Sequence, residues 1–193
     1  MCAALLLFFY NDQEDKNAGR EAESLLTEVL AAIETATPHT SITSLPTAAE
    51  GESEVAPAEV ELPIIEIDGQ NYIGYLTIPD LKLQLPVMAD WDYDRLKKAP
   101  CRQFGAVDTD DLVIAAHNYK NHFGKLGTLT VGAALTFTDM DGVVHGYTVT
   151  KIQTLPEDAV DAVQNSGHDM VLYTCTIAGT TRVAVFCDRV VQA

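Results

Sequence analysis

The chain has 193 residues, is 47% hydrophobic and carries a formal charge of −16, enough for one domain with a proper core and some further sequence. Residues 1–61 hold 12 acidic residues against 2 basic ones, and a surface this acidic repels phosphate backbones, which argues against nucleic acid as a partner. The four cysteines (Cys2, Cys101, Cys175, Cys187) are too few for a disulfide framework, and with no C-x-x-C pair a zinc ribbon or a thioredoxin-like site is unsupported. Cys101 and Cys187 are the one pair open to a single bridge.

The chain begins with an apolar run, residues 1–10, that meets the acidic stretch Asn11-Asp-Gln-Glu-Asp15. The run is about half the length of ~20 residues that a membrane-spanning helix needs, and it lacks a basic leader and a small-residue cleavage site. It reads as part of a membrane anchor, the alternative being an apolar terminus packed on the domain. Residues 11–37 form the next unit. Within it Ala22, Leu25, Leu26, Val29, Leu30 and Ile33 recur at three- and four-residue spacing, which predicts an amphipathic helix ending at Pro38. Residues 38–63, rich in Pro, Ser, Thr, Ala and Glu, form an acidic linker.

From residue 64 to 193 the pattern is one of short strands. Ile73–Ile78 stops at Pro79, Leu81–Leu85 alternates before Pro86, and Leu112–Ala116 is a continuous apolar run that reads as a strand buried on both faces. Ala134–Thr138 turns at Asp139-Met-Asp-Gly142 into Val143–Ile152. A helical turn over Asp158–Gln164 precedes the last strands, Met170–Thr174 and Thr181–Val191. Many short strands with one or two short helices make the fold class all-β, a barrel or a sandwich.

Cys175 ends a strand and precedes Thr-Ile-Ala-Gly179. A thiol there either faces a groove or packs as an inert buried residue. His117 ends another strand, and an imidazole is the usual device for moving a thiol's proton. His122 is its rival, within a loop expected beside the site, while His39 lies in the linker and His145 and His168 read as solvated. Arg182 opens the final strand seven residues after Cys175. That spacing suits a tight loop between antiparallel strands and would set a guanidinium near the thiol, as an oxyanion or substrate clamp. The alternative is an ordinary strand-end ion pair, for instance to Asp188; Arg189 ranks second as clamp. Asp108, Asp110 and Asp111 cluster before the His117 strand but lack the Gly and terminal Glu of a calcium loop. They read as a solvated turn, with calcium as the alternative, and no histidine spacing suggests a metal site.

The stretches Gly74–Pro79, Leu85–Val87, Ala115-Ala-His-Asn118, Phe123–Leu126, Leu172-Tyr-Thr-Cys-Thr176 and Thr181–Val185 occur in the order found in sortases, and the chain resembles that family over residues 72–191. Val171 stands where the family usually has Thr, and Ala116 where it often has Gly. The short segment between Leu155 and Val171 is similar to sortases without a long inserted helix, B- or D-like. The resemblance implies a closed eight-stranded β-barrel at the outer face of a Gram-positive-type membrane, held by an N-terminal anchor.

It further implies a cysteine transpeptidase without cofactor. Cys175 would attack a C-terminal Leu-Pro-x-Thr-Gly-like sorting signal, and Arg182 would stabilise the oxyanion. His117 would protonate the leaving amine and then take a proton from a peptidoglycan or pilin amine. Thr174, Asn118 and Tyr173 are the substrate-contact candidates. A cysteine hydrolase and a catalytically idle sorting-signal-binding domain are the rival readings.

Overall fold

The computed structural model describes residues 2–36, 63–176 and 179–190. The expected linker, His39 included, falls outside these residues except for residue 63. Helix α1 runs unbroken over Cys2–Ala36, through both the apolar start and the acidic stretch. Ala18, Ala22, Leu26 and Val29 recur every three or four residues and are buried, which is the stripe the periodicity predicts. Leu30, expected on that face, is exposed. No helix among the described residues is long and apolar enough to cross a membrane.

The strands are β1 (Ile65–Ile67), β2 (Gln70–Ile78), β3 (Leu83–Met88), β4 (Cys101–Phe104), β5 (Leu112–Ala115), β6 (Ala134–Asp139), β7 (Val144–Pro156), β8 (Met170–Cys175) and β9 (Thr181–Arg189). Two short helices interrupt them, α2 (Tyr93–Leu96) and α3 (Val160–Gln164). The sheet order is β1-β2-β3-β4-β5-β8-β9-β7-β6, and a further β2–β6 pairing closes it. β2 to β9 therefore form a closed eight-stranded barrel, the fold expected, with β1 appended outside the ring. Closure leaves no unpaired edge within the ring.

Several boundaries differ from the sequence reading for physical reasons. β3 runs through Pro86 to Met88; its β4 neighbour pairs with it only at Met88↔Cys101, so no second ladder requires the missing proline N–H. β4, Cys-Arg-Gln-Phe, has no period-2 pattern and is set by its pairing with β5. α2 is announced by Asp92, whose side chain accepts 2.8 Å bonds from the Asp94 and Arg95 amides, an N-cap the sequence reading passed over.

The core has distinct faces. Leu112, Ile114, Leu172, Val185 and Cys187 join the interior cluster. Val113, Val171, Ala184 and Phe186 point outward and are covered by Val163 of α3. Val29 of α1 covers Tyr72, Met88, Cys101 and Ala115. Cys101 and Cys187 sit in different clusters and both are free thiols, so the single bridge considered for them does not form.

Gly74 marks the closure point. It pairs with Val87 on one side and Asp139 on the other, with φ +143° and an imagined Cβ 2.0 Å from the Thr138 carbonyl oxygen. A side chain there would force β2 and β6 apart. Gly74→Ala is expected to destabilise by ~3 kcal/mol or more in denaturant unfolding. Gly69→Ala, at φ +72° with nothing within 4 Å, is expected to cost only about 1 kcal/mol.

Candidate active site

Three adjacent strand ends build the site. β5 and β8 run parallel, with Leu112 opposite Met170 and Ala115 opposite Tyr173. The pairing continues past the strand end through the Ala116 amide to the Tyr173 carbonyl, 3.2 Å, and the Thr174 hydroxyl to the Ala116 carbonyl, 2.8 Å. His117 follows two residues after Ala115, and Cys175 two residues after Tyr173. On the other side β8 pairs antiparallel with β9, and Arg182 is the direct partner of Cys175. Opposed residues hold their Cβ atoms roughly 5 Å apart.

Alternation fixes which way these groups point. Along β8, Leu172 enters the interior cluster and Val171 and Tyr173 the outer ones, so Cys175 shares the outer face. Along β9, Ala184 and Phe186 are outward, and Arg182 falls in phase with them. Cys175 is a free, half-buried thiol. Both hydrogen bonds of Arg182 among the described residues leave from Nη1, to the carbonyls of Gly179 (3.0 Å) and Thr181 (3.1 Å). The guanidinium thus holds the turn after the cysteine. Asp188, the alternative partner, pairs instead with His168 at 2.8 Å.

The loop after His117 folds back on itself. The Phe123 amide donates to the His117 carbonyl at 3.1 Å, and the amides of His122 and Gly124 both donate to the Tyr119 carbonyl. The Tyr119 ring stands 5.0 Å from the His117 ring and 5.5 Å from that of His122. Burial and the positive charge of Lys97 hold the His117 imidazole below its usual pKa of 6.5, with Glu14 of α1 pulling the other way. The acid form of His117 is therefore the costlier one.

Beside Cys175 opens a cleft of about 990 Å³. Thr176, Thr181 and Val183 of the β8–β9 unit form one side, Gly127 and Thr128 of a 3-10 turn the floor, and Asn118, Tyr119 and Lys120 another side. Asp12, Glu14 and Asp15 of α1 complete the wall. His117 and Arg182 are not among its lining residues. The helix is tied to the His117 loop by the Asn121 amide and side chain, each 3.4 Å from Asp15, and by Lys120, 3.8 Å from Asp12. Helical periodicity revealed the apolar stripe of α1 but not that its acidic turn would border the site.

The three substrate-contact candidates are placed differently. Asn118 lines the cleft. Thr174 borders it, but is buried and has its hydroxyl on Ala116. Tyr173 is half-buried, donates its hydroxyl to Gln103 and has its pKa pushed up to about 12 by burial.

Other groups read from the sequence lie elsewhere. Arg189 is at the far end of β9, bonded to Asp110 and, through Nη1, 3.1 Å from His145. His145 also meets Asp139 at 2.8 Å. Neither His145 nor His168 is simply solvated, because each is half-buried against a carboxylate. Among the described residues no group of three His, Cys, Asp or Glu side chains is placed to hold a metal ion.

A sortase domain family model matches residues 76–190. Among solved structures, sortase C1 from Streptococcus agalactiae is 25% identical, with a TM-score of 0.57 over 66% of this chain and 72% of its own. Streptococcus pneumoniae sortase C is 21% identical, with a TM-score of 0.58 over 94% and 96%. A Clostridium perfringens sortase D5 transpeptidase is 20% identical, with a TM-score of 0.55 over 62% and 79%. The latter two likenesses speak to the fold alone. No curated protein matches the chain by sequence.

His122, the rival of His117, is fully buried and neither ring nitrogen has a hydrogen-bond partner among the described residues. Burial pushes its pKa down to about 4, with nearby His117 adding to the drop and the Ala18 backbone and Asp15 opposing it. Between pH 6.5 and about 4 the unfolded chain holds a proton that the folded one does not, so His122 lowers stability as pH falls through that window. Thermal unfolding should show a loss approaching about 3 kcal/mol by pH 4 from this residue. His122→Phe should remove that segment of the curve, and an unchanged curve would place the titration elsewhere.

Proposed function

Because the chain belongs to the sortase family, we propose that it is a cysteine transpeptidase that cleaves a Leu-Pro-x-Thr-Gly-like sorting signal and passes the acyl group to an amine. The observation that supports this reading is the direct pairing of Cys175 with Arg182 across β8 and β9, with His117 just past the end of β5, the strand that runs parallel to β8. Among the cysteines whose side chains are described, Cys101 and Cys187 are fully buried, and burial pushes both thiols up to about 12.

In the proposed reaction Cys175 Sγ forms a bond to the carbonyl carbon preceding the scissile amide, and the carbonyl oxygen becomes an oxyanion. Arg182 is suited to that charge, since its Nε and Nη2 make no hydrogen bond among the described residues and face the same side of the sheet as the thiol. Collapse of the intermediate breaks the C–N bond as His117 donates a proton to the leaving amine. The incoming amine then loses a proton to His117 as it displaces the thiol. A depressed imidazole pKa fits this double role, because His117 is neutral at rest and becomes acid only when it has taken the thiol proton.

A pilin or cell-wall amine is the acceptor in this reading. Attachment to the outer face of the membrane through the apolar N-terminal run belongs to the same reading.

The decisive experiment mixes the protein with a short Leu-Pro-x-Thr-Gly peptide library and a triglycine acceptor and follows adducts by mass spectrometry. A thioacyl adduct absent in Cys175→Ala, together with ligated product, is expected. Hydrolysed peptide alone would turn the reading to a cysteine hydrolase, and peptide binding without turnover to an idle binding domain. Arg182→Lys should cut kcat by roughly 10²-fold to 10³-fold through loss of the oxyanion donor. The profile of kcat/KM against pH should be bell-shaped with its acid limb below 6.5, and Lys97→Gln should move that limb upward by removing a charge that disfavours the imidazolium. A limb that stays put would exclude His117 as the group titrating there.

A further inference from the structure

Two glycines line the cleft beside Cys175, and the structure explains only one of them. A Cβ at Gly124 would lie 2.4 Å from the Asn118 carbonyl oxygen and 2.8 Å from that of Tyr119, so the folded-back loop after His117 requires glycine there. Gly127 is different. It is not among the residues with positive φ, and it sits inside a regular 3-10 turn, Leu126–Thr128. The turn's hydrogen bonds run from the Thr128 amide to Lys125 and from the Leu129 amide to Leu126, neither of which needs glycine. A Cβ at Gly127 would meet nothing nearer than the Val183 methyls, at 3.6 and 3.9 Å, ordinary van der Waals contact.

Glycine in such a place costs backbone entropy for no local structural return. What a side chain would take up is space in the cleft, since Gly127 and Val183 both line it. Thr128, Thr176 and Thr181 line the same cleft; the Thr128 hydroxyl donates to the Lys125 carbonyl at 2.7 Å and the Thr176 and Thr181 hydroxyls pair at 3.0 Å, which leaves hydroxyl oxygens able to accept. This is the arrangement that lets a peptide chain pass close to the protein backbone.

We propose that Gly127 is a specificity-determining position: its missing side chain leaves the floor beside Cys175 open for a peptide segment of the substrate to lie against the turn. The proposal rests on Cys175 being the acyl-transfer nucleophile. It concerns a residue that touches substrate by shape and takes no part in proton or acyl movement.

The test is a graded series, Gly127→Ala, Gly127→Val and Gly127→Leu, with melting temperature, kcat and KM measured on each. Gly127→Ala should melt at the wild-type temperature or slightly above, because an L-residue at this φ narrows the unfolded ensemble. Its kcat/KM should nevertheless fall, and Gly127→Val should lose roughly 10-fold or more, chiefly in KM, as methyl groups enter the cleft. Wild-type kcat/KM throughout the series would overturn the proposal, as would a loss in kcat alone with KM unmoved.

A second measurement does not depend on turnover. Cys175 is alkylated with iodoacetamide and, separately, with a bulky peptide maleimide, and the site is mapped by digestion so that Cys2 is not counted. Gly127→Leu should leave the small reagent's rate unchanged and slow the bulky one. Equal slowing of neither or of both would overturn the proposal. Were the wild-type protein to show no acyl transfer, the function reading would fall, while the ratio of the two alkylation rates would still judge Gly127.

Discussion

Ala115 stands opposite Tyr173 in the longer of the two parallel ladders of the barrel, and the place of each chemical group in the site is inherited from that pairing. Parallel neighbours cannot be joined by a hairpin. Here β6, β7 and α3 intervene in the chain between β5 and β8, and the register is held by what surrounds the ladder. Leu112, Ile114 and Leu172 anchor it from inside, Val113 and Val171 from outside. A slip of one residue would turn all of these to the wrong face. The Thr174 hydroxyl on the Ala116 carbonyl extends the lock beyond the last strand residue, where backbone ladders normally fray. The pairing of Cys175 with Arg182 then follows from an ordinary antiparallel neighbour.

The docking of α1 rests on shape more than on charge. Its ion pairs with Lys98 and Lys120 are long, 3.8 to 4.0 Å, and the lysines are largely exposed, so each contributes little. Ala18, Ala22 and Val29 are nearly or fully buried, and the small residues let the helix come close. At Gly19 the approach is so tight that a Cβ would lie 2.6 Å from the Asn121 side chain. The segment touched is the loop that begins at His117. One helix therefore both covers the barrel wall and forms part of the rim of the cleft beside the thiol.

Much of this was legible in the residues, and what was not has a physical reason. Strands with a long apolar or alternating pattern, such as those at Leu112 and Met170, declare themselves because their own burial dictates their sequence. β4 does not: Cys101-Arg-Gln-Phe104 is a strand only because β5 lies next to it. Cys175, His117 and Arg182 stand out in the sequence as polar groups at or just past the ends of such strands, and their order narrows the pattern. His145 and His168 were misread as solvated, since their carboxylate partners Asp139 and Asp188 come from pairings that a linear reading does not expose. The role of Gly127 was invisible for the same reason. A glycine in a short turn looks like turn chemistry until the space beside it can be seen.

The electrostatics of the site run against the composition of the chain. The protein is strongly acidic, yet Lys97 acts on the His117 imidazole, Lys120 lines the cleft and Arg182 pairs with Cys175, while α1 brings Asp12, Glu14 and Asp15 to the same cleft. Lys97 and Glu14 act on the His117 imidazole with opposite signs, and burial is the larger influence. The outcome is a neutral imidazole whose basicity is set mainly by how dry its surroundings are. Because α1 packs against the His117 loop and supplies Glu14, its docking bears on both influences: it shields the loop and carries the one acid that favours the protonated ring. The helix is then part of the electrical environment of the proton-transfer residue, and the acid–base chemistry of the barrel is partly written in a segment that lies outside it.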